Sequence, residues 1–121
     1  MRAFLIDQRD RTAKEVDINP ELDELYKVLD CDTIDIVVRK VDGVEFDIVC
    51  DDEGLFKQPA VPSACTTQGN PTLVGNLLFC HHNLDGELTE CSEDDVIWLD
   101  DHLGMLFCNK HIYPIVTGLN Y

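Results

Sequence analysis

The stretch TIDIVVRKVDGVEFDIVC, residues 33–50, decides the fold. Two runs alternate apolar and polar side chains: Ile34, Ile36 and Val38 in the first, Val44, Phe46 and Ile48 in the second. Alternation with period two marks a strand with one buried face. Between the runs stands Val41-Asp42-Gly43, and Asp-Gly readily takes the positive φ angles of a tight turn, so the stretch predicts a β-hairpin.

Toward the N-terminus, Ala3–Ile6 is a short apolar run, and Ala13–Ile18 puts Val16 and Ile18 on one side, Glu15 and Asp17 on the other. Joined by the polar Asp7–Arg11, they predict a second hairpin. Asn19-Pro20 predicts a helix start, with Asn as the cap and Pro in the first helical position. Leu22, Leu25, Tyr26 and Leu29 then form one apolar stripe, and the helix should end near Asp30.

Toward the C-terminus, Asp51–Gly54 predicts a turn, Pro59 and Pro62 an irregular segment, and Asn70-Pro71 a further turn. Thr72–Cys80 (TLVGNLLFC) reads as one buried strand. Ser92 and Asp95 resemble a capping box, Val96, Leu99 and Leu103 line a helix face, and Gly104 is placed to stop that helix. The tail from Met105 to Tyr121 should add a strand or pack against the sheet, although Pro114 argues against a central strand there. The expected fold is an α+β domain, a small and mainly antiparallel sheet packed with two helices, in a single domain over residues 1–121.

Length agrees: 121 residues and 13.7 kDa suit one domain that needs no disulfide or metal to hold its core. No apolar run approaches the roughly 18 residues of a membrane-spanning helix. The opening MRAFLIDQRD is too briefly apolar for an export signal, so a cytoplasmic location is expected, that of the host cell if the gene is phage-borne. Nine Lys and Arg stand against 24 Asp and Glu, a net charge of −15. Such a chain is repelled by nucleic acid and by anionic membranes, so neither is an expected partner, and basic proteins are favoured. The plain alternative is that acidity only keeps a small domain soluble. Charge is uneven: residues 1–57 carry 16 acids and 8 bases, residues 85–121 carry 8 acids and Lys110, and Gln58–Leu84 has no charged residue. That neutral stretch should be buried or face a partner.

The six cysteines are expected to be free thiols in a reducing compartment. Cys108-Asn-Lys-His111 has a zinc-like spacing, and Cys80 with His82 would be a second arm, but there is no CxxC pair; no metal or other cofactor is expected. The segment from His81 to Ser92 lacks the end carboxylates of a calcium loop, so Asn83–Gly86 reads as a turn. There is no phosphate-binding glycine loop, GxSxG or HExxH, and catalysis is not expected.

Several segments carry a resemblance: MRAFLID, then ELDELYKVLDCDTIDIV, FDIVCDDEGLFKQP and TLVGNLLFC. An opening strand, the helix motif over Leu22–Tyr26, the Asp52–Gly54 turn after an apolar strand, and Gly75 leading into an apolar run to Phe79 resemble a domain family of unknown function, family 3846. Its members are small proteins of phages, conjugative elements and gut bacteria. The acidic Glu93–Asp95 also fits. The likeness covers residues 1–103, leaving 104–121 as an extension, and it assigns no residue a catalytic role. It implies a mobile-element setting. The expected function is therefore a non-enzymatic acidic protein that binds and inhibits a basic host protein, in the manner of a nucleic-acid mimic. The candidate contacts are the exposed carboxylates Asp51, Asp52, Glu53, Glu93, Asp94, Asp95, Asp100 and Asp101. The alternative is a small-molecule or nucleotide-sequestering protein, its pocket lined by Thr66, Thr67, Gln68 and Asn70 with Arg39 and Lys40 nearby, or an accessory domain with no specific acidic interface. Oligomeric state is left open.

Overall fold

The computed structural model describes residues 1–57 and 60–121; the irregular reading at Pro59 falls outside them. Both predicted hairpins form. β1 (Arg2–Asp7) pairs with β2 (Thr12–Asp17), and β3 (Ile34–Val41) pairs with β4 (Val44–Asp51), antiparallel, with Val41 opposite Val44. The turn residues Asp42 and Gly43 take φ of 46° and 91°, the two positive angles that this connection needs.

The helix α1 (Leu22–Leu29) lies between the hairpins. Its cap corrects the reading at Asn19. Ile18 stays in the ladder, its N–H donating to the Met1 carbonyl at 2.9 Å, so the chain needs further residues to turn over the sheet. The helix begins at Leu22 with Glu21 before it and no side-chain cap; Asp30 ends it at φ 53°.

Further along stand a 3₁₀ turn (Gly54–Phe56), β5 (Ala64–Thr66), β6 (Leu77–His82), β7 (Leu88–Thr89), α2 (Glu93–Asp101), β8 (Leu103–Cys108) and β9 (His111–Asn120). The single strand expected over Thr72–Cys80 is corrected: Gly75, at φ 75°, breaks it, and only Leu77 onward enters the sheet. Gly104 does not stop α2 either. The helix ends at Asp101, and Gly104 lies within β8, where an added Cβ would stand 3.0 Å from Thr117 Cγ2.

Among the described residues nine strands form one curled sheet, in the order β2-β1-β6-β4-β3-β9-β5, with β7 on β6 and β8 on β9. The fold is broadly α+β, as expected, but the sheet dominates and the two helices are short. The β5–β9 pair is parallel and the other strand pairs are antiparallel. The tail supplies β8 and β9. Pro114 fits because that part of β9 has β8 as its partner, while β5 and β3 join from Val116 onward.

The central strands β1, β6 and β4 are buried on both faces, which fits the unbroken apolar runs Ala3–Ile6 and Leu77–Cys80 and, in β4, the shorter run Ile48–Cys50. Phe4, Ile6, Phe46, Ile48, Leu77 and Phe79 face one core, closed by Leu99 of α2 together with Val116 and Leu119 of β9. Ala3, Leu5, Val49, Leu78 and Cys80 face a second core, closed by Leu25 and Leu29 of α1. The phase of β3 differs from the sequence reading. Ile34 touches the second core, but Ile36 and Val38 on that face are 45% and 44% exposed, and Val37 and Val41 are the residues that meet the first core. An eight-residue helix is about 12 Å long and covers only one end of β3.

Candidate functional site

Helix α2 gathers the densest acidic surface, and its two ends are built differently. At the start, Ser92 and Asp95 close the predicted capping box. Asp95 N–H donates to Ser92 Oγ at 3.1 Å, and Ser92 N–H donates to Asp95 Oδ2 at 2.8 Å. His81 Nε2 stands 2.9 Å from the same carboxylate. Burial raises the Asp95 pKa, but the bonds from the Ser92 backbone, His81 and the Ser92 hydroxyl outweigh it, and the group is held below its ordinary value. Glu93 and Asp94 lie exposed in the first turn, where negative charge suits the helix dipole.

At the other end Asp100 and Asp101 sit in the last turn, against the negative pole of the same dipole, and no basic residue accompanies them in that turn. Both are exposed and make no ion pair among the described residues. Helical spacing sets Glu93, Asp94, Asp100 and Asp101 at the i−4, i−3, i+3 and i+4 positions around Ile97, which is 58% exposed. The outer face of α2 is thus an apolar side chain ringed by four carboxylates. Of the four, Glu93 alone approaches a cation, at 3.9 Å from Arg2 Nη2.

The second acidic run divides in a similar way. Asp51 departs from the expected exposure: its side chain is 4% exposed and pairs with Lys57 Nζ at 2.7 Å, a hydrogen bond that raises the Lys57 pKa. Asp52 and Glu53 face solvent beside Leu55 and Phe56, which are also exposed. Six of the eight expected carboxylates are therefore outward. Asp51 and Asp95 are internal; the capping-box pattern set Asp95 apart from its neighbours, and no feature of the sequence did so for Asp51. The exposed apolar residues beside the outward acids were likewise not legible as part of the surface.

The neutral Gln58–Leu84 stretch is mixed: Val61, Ser63, Ala64 and Asn76–Cys80 are buried, while Thr67–Pro71 and His82–Leu84 are exposed. Thr66 and Gln68 line a cavity of about 160 Å³ together with Arg39, Thr72, Asn120 and Tyr121. The Arg39 guanidinium lies 4.2 Å from the centre of the Tyr121 ring and pairs with no carboxylate among the described residues. Thr67 is engaged elsewhere, accepting from Asn120 Nδ2 at 2.7 Å, and Asn70 closes a turn with Thr66.

The cysteines are free. Among the described residues, Cys80, His82, Cys108 and His111 do not form a metal-binding group; His81, Cys91 and Asp95 are the three whose ligand atoms come within 4.8 Å of one another. That trio is already engaged. Asp95 serves the cap, and the Cys91 thiol donates to the Phe79 carbonyl at 3.3 Å. Burial pushes the Cys50 thiol up to about 11 and those of Cys80 and Cys91 up to about 12, so these groups stay protonated at neutral pH and are poor nucleophiles. No helix among the described residues is long and apolar enough to cross a membrane.

A family model described as a domain of unknown function (DUF3846) matches residues 1–104. Its end falls within β8, so β9 lies beyond the match. No curated protein and no solved structure matches the chain.

Proposed function

We propose a function for this chain from the premise that it belongs to the DUF3846 family: it is a non-enzymatic acidic protein of a phage or other mobile element that binds and inhibits a basic host protein. The mobile-element setting rests on the resemblance of its motifs to such proteins. The observation that carries the binding is Ile97 within its ring of Glu93, Asp94, Asp100 and Asp101. Asp100 and Asp101 work against the helix that bears them, each costing about 0.3–1 kcal/mol at the negative pole. Acids kept at such a cost fit a demand from outside the fold. An apolar centre with an anionic rim fits a partner that presents a hydrophobic residue among Lys and Arg, as a groove built for phosphates does. Asp52 and Glu53 beside Leu55 and Phe56 offer a second patch of the same kind.

Affinity for host nucleases and DNA-binding factors, measured at low and at high salt, tests the reading. Binding should weaken with salt and should weaken again in D100N/D101N. Tight binding indifferent to both would overturn it.

The cavity at Arg39 favours a second reading, capture of a small anionic molecule. A thermal shift with a panel of nucleotides would support it, and no shift with any of them would remove it.

A further inference from the structure

We propose that β8 is an interface between two copies of this chain, paired antiparallel about Met105. β8 pairs with β9 alone among the described residues, which leaves its other edge open. The direction of that edge follows from the hairpin. Thr117 N–H donates to the His102 carbonyl at 2.8 Å, so even-numbered residues turn their backbone groups toward β9. The two-residue turn at Asn109 and Lys110, with φ of 50° and 65°, closes a bonded pair at Cys108 and His111 and fixes the same alternation. Leu103, Met105 and Phe107 therefore direct their N–H and C=O groups outward. Met105 is 80% exposed and Phe107 74%.

An open edge usually carries a charge, a proline or a bulge that blocks pairing. β8 reads LGMLFC and has none of these, in a chain where 27% of residues are charged. Its outward residues are all apolar and lie on one face, continued across the hairpin by Ile112, which sits opposite Phe107 and is 57% exposed. The strand brings no carboxylates of its own to the contact, because residues 102–121 contain Lys110 and no Asp or Glu.

A second copy satisfies the edge under twofold symmetry. Faces match only when paired residue numbers have the same parity, and Met105 opposite the second copy's Met105 meets that condition. Leu103 then faces the second copy's Phe107, and the three outward residues of each copy exchange backbone hydrogen bonds. The interface is thus complementary in backbone and apolar face. It stands independently of the host-partner reading, since its readout is mass and not capture.

Sedimentation equilibrium should give twice the 13.7 kDa chain mass at higher concentration. M105K would set two like charges directly opposite each other and should weaken self-association at least about tenfold. At concentrations where both proteins are monomeric its thermal midpoint should match that of the wild type, because the side chain is exposed in the single chain. M105C/C108S should form an intermolecular disulfide on oxidation and C108S alone should not, since Cα atoms of a bonded antiparallel pair lie about 5.5 Å apart, within disulfide reach. A chain that stays monomeric at every concentration overturns the proposal. So does a dimer that M105K leaves intact or that M105C/C108S fails to cross-link.

Discussion

The two ends of α2 carry similar acids and put them to opposite uses. At the N-terminal end Glu93, Asp94 and Asp95 meet the free N–H groups and positive pole of the helix, and Asp95 also binds Ser92 and His81. At the C-terminal end Asp100 and Asp101 meet exposed carbonyls and negative potential, and nothing described neutralises them. A carboxylate count treats these residues alike. The helix direction separates those that stabilise the fold from those that it tolerates, and the tolerated ones are the better candidates for recognition.

The contrast is broken most sharply at Asp95. D95A should cost about 1–2 kcal/mol in urea denaturation, because it removes the carboxylate half of the capping box and leaves the Ser92 N–H and His81 without their acceptor. The same carboxylate sets a pH dependence. Its folded pKa lies below the ordinary 3.8, so its contribution is complete above the unfolded value and fades as pH falls through the folded one. The gap in stability between the wild type and D95A should therefore be constant near neutrality and close in acid, below about pH 4. A gap that persists at pH 2 would mean that the carboxylate charge is not what stabilises the cap.

D100N and D101N should move stability the other way, each raising it by about 0.3–1 kcal/mol while reducing affinity for a basic partner. Loss of stability in either variant would show that the C-terminal acids have an internal partner after all. D94N should lower stability by about 0.3–1 kcal/mol, since Asp94 sits at the positive pole, and the smallest effect belongs to D52N, which should stay within about 0.5 kcal/mol of the wild type. Among these exposed positions, the affinity measurement then decides which patch a partner uses.

Legibility followed how local each cause was. Asp42-Gly43 announced its hairpin because both residues tolerate positive φ, whereas Asn109-Lys110 closes an equally tight turn at φ of 50° and 65° and was not read as one, since lysine seldom adopts that region. The Ser92–Asp95 cap was legible because its partners are three residues apart. The cap at Asn19 was misread because a long-range ladder bond, Ile18 to Met1, held the chain extended there. The β3 alternation was read in the wrong phase: Ile36 and Val38 are exposed, and Val37 and Val41 meet the first core, because which face is covered depends on elements far away in the chain.

The sequence by itself determined the strand hairpins, the helix stripe, the acidity and the absence of any strong metal or catalytic motif, since these depend on composition and near-neighbour spacing. Tertiary structure decided which carboxylates turn inward to Lys57 and His81, how the tail becomes two strands, and which strand is left with an open edge. Those outcomes depend on residues far apart in the chain meeting across a curled sheet, and no local pattern encodes such a meeting.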